Sequence, residues 1–86
     1  MRPFNLTEAI AGNPVRLVDG TKAYIFQDVR DLVADEPFPF IGGYVYDVVS
    51  YSDGRKYIRF EECRWAVDCQ CDRLNYLGNI AGMWEE

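Results

Sequence analysis

Tyr44-Val45-Tyr46-Asp47-Val48-Val49-Ser50-Tyr51-Ser52-Asp53-Gly54-Arg55-Lys56-Tyr57-Ile58-Arg59-Phe60 is the stretch that decides the architecture. β-branched and aromatic residues lie on both sides of an Asp-Gly pair, the local signature of two antiparallel strands joined by a tight turn. The strands so defined run from Gly42 to Ser52 and from Arg55 to Glu62. A two-residue Asp53-Gly54 turn sets Ser52 opposite Arg55, Ser50 opposite Tyr57, Val49 opposite Ile58 and Val48 opposite Arg59. Side chains alternate between faces, so one face collects Val45, Val49, Tyr51, Ile58 and Phe60 and is expected to be buried. The other gathers Tyr44, Tyr46, Val48, Arg55, Tyr57 and Arg59. A three-residue turn with a bulge would shift one strand against the other.

Upstream, Val15 to Val18, Asp19-Gly20 and Thr21 to Val29 repeat the same plan, which predicts a second hairpin. Before it, Asn5-Leu6-Thr7-Glu8 reads as a capping box that starts a helix of about two turns, Leu6 to Ala11. Gly12 and Asn13-Pro14 end that helix, and Leu6, Ala9 and Ile10 share the face that packs on a sheet. The stretch from Arg30 to Ile41 loses the alternation and is expected to be a loop, acidic at Asp31, Asp35 and Glu36 and held extended by Pro37-Phe38-Pro39-Phe40. Its two Phe residues fit either the core or an exposed tip. Arg64 to Val67 reads as a further strand. Beyond it, residues 72–86 fit two patterns: a helix capped by Asp72 with Leu74, Leu77, Ile80, Ala81 and Trp84 on one face, or a strand from Asn79 to Trp84. Gly78 and Gly82 weigh against the helix at about 1 kcal/mol each. The expected fold is therefore α+β and mainly β: one domain over residues 1–86, with an antiparallel sheet of roughly four to six strands built from two Asp-Gly hairpins and a short N-terminal helix.

The chain has 86 residues, 49% of them hydrophobic and 15% aromatic, enough apolar surface for one core and too many aromatics for a disordered chain. So small a core is marginal, which makes a homo-oligomer one way to gain stability. Fourteen acidic against nine basic side chains give a net charge of −5. That sign repels phosphate backbones and excludes direct nucleic-acid binding as the expected activity. It suits solubility or a partner with a basic surface. The opening Met1-Arg2-Pro3-Phe4 leads into no apolar run, so neither a signal peptide nor a membrane span is expected. Three cysteines, an odd number, fit reduced thiols in a cytoplasm better than a disulfide framework.

Histidine is absent, which removes the commonest general base and the commonest metal ligand together. Lys22 and Lys56, the two lysines, sit beside predicted turns. No catalytic residues are assigned, and the expectation is a protein that is not an enzyme. Cys63, Cys69 and Cys71 with Asp68 or Asp72 form an incomplete zinc set, because Cys-x-Cys on a strand puts two thiols on one face and makes no knuckle. Small buried side chains are the alternative, and the expectation is no metal and no cofactor. Two groups of residues remain as candidate binding sites. Asp28, Asp31, Asp35 and Glu36 make an acidic loop suited to a host protein with a basic surface. Tyr44, Tyr46, Arg55, Tyr57 and Arg59 set aromatic planes beside guanidinium groups, which stack a base and hold a phosphate or carboxylate.

At the N-terminus, Pro3-Phe4-Asn5-Leu6, Ala9, Gly12, Pro14-Val15 and Asp19-Gly20 resemble the opening of small accessory proteins of tailed phages and prophages, in which a PFNLxxAxxGxPVxxxDG-like start leads into a β-hairpin. In those proteins a later strand-turn-strand carries a sequence like Asp53-Gly54-Arg55. The resemblance covers about the first twenty residues, reaches the rest only in outline, and transfers no site residues. It implies a context, the cytoplasm of an infected bacterial host, where small acidic proteins inhibit antiphage defence by direct binding. The expected function is such an inhibitor of a host protein. The alternative is an oligomeric β protein that sequesters a signalling nucleotide on its Tyr and Arg face.

Overall fold

Asn5 opens the helix. Its extended backbone (φ −133°, ψ 110°) lets the side-chain oxygen accept from the Glu8 amide at 3.1 Å, and α1, Leu6–Ile10, follows. The Glu8 carboxylate accepts from Arg2 instead of reaching back to Asn5. Gly12, at φ +109°, turns the chain out of the helix in a conformation that glycine adopts without penalty. The computed structural model describes residues 2–73 and 76–86. Five strands follow α1: β1 (Val15–Leu17), β2 (Lys22–Asp28), β3 (Phe40–Val49), β4 (Lys56–Trp65) and β5 (Ile80–Met83), with a 3-10 turn at Tyr76–Gly78. They form one antiparallel sheet in the order β4-β3-β2-β1-β5. The fold is thus mainly β with a short N-terminal helix, as the sequence predicts.

Both Asp-Gly turns are longer than the two residues expected. A two-residue turn of that type needs φ > 0 at both positions, and here only the glycines, Gly20 at +90° and Gly54 at +70°, adopt it. In the first hairpin the Leu17 amide donates to Thr21 O and the Gly20 amide to Leu17 O, each at 2.9 Å, leaving Val18-Asp19-Gly20 as the loop. In the second, the Ser50 amide donates to Arg55 O and the Gly54 amide to Ser50 O, each at 2.9 Å, leaving Tyr51 to Gly54 as the loop. The β3–β4 register therefore slips by two positions from the expected one: Val49 faces Lys56, Val48 faces Tyr57 and Tyr46 faces Arg59. A slip of two keeps every side chain on its predicted face, because the strand period is two.

A third loop copies the first. The Ala66 amide donates to Gln70 O at 2.8 Å and the Cys69 amide to Ala66 O at 2.9 Å. Asp68 then accepts from the Gln70 amide as Asp19 does from Thr21. Val67-Asp68-Cys69 thus stands where Val18-Asp19-Gly20 stands in β1–β2, with Cys69 at φ +74° in the glycine seat. This loop ends the strand predicted at Arg64 to Val67. The C-terminal stretch is strand and not helix: β5 pairs with β1, Val15 facing Met83 and Arg16 facing Gly82. Gly82 is buried there, and Gly78 lies against the Cys71 side chain. Leu74, which completes the helical pattern, lies outside the described residues.

The core occupies one face of the sheet at one end. Val15, Leu17, Ala23, Ile25, Phe40, Cys63, Trp65, Ile80 and Met83 share that face and form one cluster with Ala9 of α1 and Cys71. Trp65 is fully buried, and its indole Nε1 donates to the Gly78 carbonyl at 2.8 Å, which ties β4 to the segment entering β5. Of the two loop Phe residues, Phe40 joins the core and Phe38 is half-buried.

The face expected to be buried is the uncovered one. Val45, Val49, Ile58 and Phe60 are 58%, 53%, 70% and 50% exposed, and Tyr51 projects from the turn. The covering layer, made by the five-residue α1 and the chain around Cys69, Cys71 and Gly78, lies over the opposite face. It is also too short to reach the far half of the ten-residue strands β3 and β4. Those strands continue past the core as a two-stranded ribbon.

Candidate functional site

The ribbon assembles the Tyr and Arg group as its sequence predicts. Tyr46 faces Arg59, Tyr44 faces Glu61 and Tyr57 faces Val48, all on the side that continues the core face. The rings of Tyr44 and Tyr46 lie 6.2 Å apart, tilted by 53°. Arg55 stands at the turn with Asp53 as a distant partner at 3.8 Å. Arg59 makes no ion pair with any described residue, so its charge is available to a ligand or partner. Tyr44 is the innermost of the group, and burial raises its phenol above the ordinary tyrosine range.

The other side of the ribbon is apolar: Phe26 from β2 joins Val45, Val49, Ile58 and Phe60. The Phe26 and Phe60 rings are 5.9 Å apart, and Tyr24 stacks parallel to Phe26 at 6.5 Å. Gly43 makes room for this row, since a Cβ there would meet the Phe60 ring and the Glu61 carbonyl. Phe26 follows Tyr24 onto this side by plain alternation along β2, opposite buried Ala23 and Ile25; the place of β2 beside this row is set by the fold and is not written in the local pattern. Exposed apolar residues scattered singly are ordinary, but a contiguous row of this kind marks a contact surface.

The acidic loop is largely self-neutralised. Arg30 clamps both carboxylate oxygens of Asp28 at 2.7–3.0 Å, and this hydrogen bonding holds the Asp28 carboxyl below its ordinary range. Glu36 lies 3.7 Å from Arg64 and accepts from the Phe38 amide at 3.3 Å. Asp31 and Asp35 stay exposed and form no ion pair with any described residue, beside exposed Leu32 and Val33. The loop therefore offers two free carboxylates next to an apolar tip, in place of four.

Cys63 and Cys71 are buried and Cys69 half-buried, all three as free thiols. Among the described residues no three His, Cys, Asp or Glu side chains come together in a way that could hold a metal ion. Cys63 borders a cavity of about 70 Å³ shared with Tyr44, Cys71 and Arg73, far below the several hundred Å³ that a small-molecule pocket needs. Burial pushes the Cys63 thiol from 9.0 to about 11 and raises that of Cys69 as well, so neither is poised as a nucleophile. The consequence for stability is alkaline. The unfolded chain releases the Cys63 proton near pH 9.0 while the folded chain keeps it until about 11, so stability is full below 9.0 and falls across that interval. Thermal melts between pH 8 and 11 should show a falling Tm. The slope should be shallower in Cys63→Ala but not flat, because the raised groups Tyr44 and Cys69 act in the same direction. An identical slope in the variant would remove Cys63 as the cause.

These features define a class: a small protein with an open antiparallel sheet whose available surface lies on a hairpin that outruns its core. Over residues 1–86 the chain matches the family model described as Haemophilus phage HP1 protein YO09, and it belongs to that family. It is 58% identical, over the full 86 residues of both chains, to an uncharacterized 9.7 kDa protein in the cox-rep intergenic region of Haemophilus phage HP1 (strain HP1c1). It matches the protein of the same description from Haemophilus phage S2 equally well. No solved structure matches the chain. The protein is thus a small phage protein, as its N-terminal resemblance implies. Among the described residues no helix is long and apolar enough to cross a membrane.

Proposed function

We propose that the protein acts without catalysis in the cytoplasm of an infected bacterium, by direct binding to a host protein with a basic surface, and that this binding inhibits an antiphage system. The observation that carries the reading is the uncovered apolar face of the ribbon, where Val45 and Val49 stand 58% and 53% exposed. Exposed Asp47 and Glu62 lie on the same side, with Lys56 toward the turn. An apolar centre beside carboxylates, on a chain of net charge −5, suits a basic partner. A chain with no histidine, and with no buried charged residue among those described, supports the non-catalytic part.

The test is affinity capture from infected host cells, followed by titration of the identified partner. Val45→Glu with Val49→Glu should weaken binding by about a hundredfold with the fold intact, while Asp31→Asn with Asp35→Asn should leave it nearly unchanged. Wild-type binding by the valine variant would take the site off this face, and loss only in the aspartate variant would move it to the loop. One observation favours a second reading, a nucleotide held on the opposite side: Tyr46 stands directly across from Arg59, whose charge has no partner among the described residues. In that case native mass spectrometry with added nucleotides would show a bound species lost in Tyr46→Ala and Arg59→Ala and kept in the valine variant.

A further inference from the structure

The edges of the two outer strands, β5 and β4, are closed by described parts of the chain except along one short stretch of β4; on the other side of the ribbon, Val45, Asp47 and Val49 of β3 lie beyond the pairing with β2. At the β5 edge the Met83 amide donates to Arg2 O at 3.1 Å and the Ile80 amide to Cys69 O at 2.9 Å. On β4 the Ala66 amide donates to Gln70 O at 2.8 Å and Arg64 O accepts from the Asp72 amide at 2.9 Å. The carbonyl of Glu62 accepts from the Arg73 guanidinium at 2.9 Å. The backbone groups of Glu62, Arg64 and Ala66 therefore point away from β3. Successive residues of a strand alternate in this respect, so Lys56, Ile58 and Phe60 also present their amides and carbonyls outward. No described residue pairs with them. An unpaired strand edge is a template for another strand.

We propose that this stretch pairs with the same stretch of a second copy, antiparallel and about a two-fold axis at Ile58. The charges select the direction. Arg55, Lys56 and Arg59 occupy the first half of the strand and Glu61 and Glu62 the second, so antiparallel alignment brings opposite charges together and parallel alignment brings like charges together. They also select the register. With Ile58 on the axis, Lys56 pairs with Phe60 of the second copy, Tyr57 faces its Arg59 and Arg55 faces its Glu61, each contact made twice by symmetry. A shift that centres the pair on Arg59 sets the two Arg59 side chains together and needs the Glu62 carbonyl that Arg73 occupies. A shift to Tyr57 sets Arg59 against Arg55. Pairing at Ile58 uses all the free groups of the β4 edge and leaves both faces of the ribbon uncovered. It therefore does not depend on the host-binding reading, and it doubles the apolar surface on one side of a continuous sheet.

So short a ladder predicts a concentration-dependent dimer, populated at about 10–100 μM. Sedimentation of the full chain should show a mass approaching twice its 10.0 kDa as concentration rises. Ile58→Pro removes the outward amide, which has no partner among the described residues, and should weaken the dimer at least about tenfold with an unchanged far-ultraviolet spectrum. Ile58→Cys provides a second measurement should the proline disturb the fold. Cα atoms of such a facing pair lie about 5.5 Å apart, within disulfide reach, so this variant should form a covalent dimer under mild oxidation far faster than Ser52→Cys in the turn. A wild-type chain that stays monomeric throughout, a folded proline variant that dimerises as before, or equal cross-linking of the two cysteine variants would each overturn the proposal.

Discussion

Gly42→Ala is expected to unfold the protein or leave it only marginally folded. Gly42 is buried between Ile25 and Cys63 in the middle of the sheet. A Cβ at that position would fall on the Tyr24 carbonyl oxygen and lie 2.9 Å from Ile25 Cα. These are backbone atoms beside the β2 bulge, and they cannot step aside as the end of a flexible side chain does. The cost should be about 3–5 kcal/mol, a large part of the roughly 5–10 kcal/mol available to a domain of this size. Urea denaturation followed by far-ultraviolet circular dichroism measures it. Gly54→Ala makes the comparison: nothing lies within 4 Å of its Cβ, so only the φ of +70° is penalised, at about 1–2 kcal/mol. Equal midpoints for the two variants would mean that β2 yields, and the close approach would lose its significance.

Trp65→Ala should be the most damaging side-chain truncation. Among the described residues Trp65 is the largest fully buried side chain, and its indole nitrogen reaches across to a different part of the chain, the Gly78 carbonyl. Its removal should cost about 3–5 kcal/mol for the cavity, with a further penalty for the orphaned carbonyl. Trp65→Phe keeps most of the volume and loses the indole donor, so its smaller cost, about 1–3 kcal/mol, reports the tie between β4 and β5. Denaturant midpoints of both variants give the two values. If phenylalanine costs as little as a surface change, the Gly78 bond contributes nothing and β5 is held by its pairing with β1 alone.

Local chemistry was legible in the sequence wherever the cause was local. Asn5 and Gly12 bracket the helix because capping and φ > 0 are decided within a few residues, and the two Asp-Gly pairs mark where the chain reverses. The loop lengths were not legible, because Asp19 and Asp53 avoid the left-handed region and the turn grows to put glycine alone there. Which residues share a face of β3 and β4 followed from alternation and survived the two-residue slip. Which face is covered did not, since that depends on where α1 and the chain around Cys69, Cys71 and Gly78 land, and nothing inside the hairpin encodes it. The same limit applies to the acidic loop. The Arg30 clamp on Asp28, only two residues away, was within reach of sequence reasoning, whereas the approach of Arg64 to Glu36 required the folded sheet.

The uneven cover of β3 and β4 divides the labour within single strands. Phe40 to Tyr44 and Glu61 to Trp65 are bound into the core region, while Val45 to Phe60 stand outside it, most of them exposed. Substitutions in the outer stretch fall mostly in the range of exposed positions, about half a kcal/mol either way. Under the proposed host-binding role, the surface that recognises a partner can therefore change in a stretch of sequence separate from the one that secures folding.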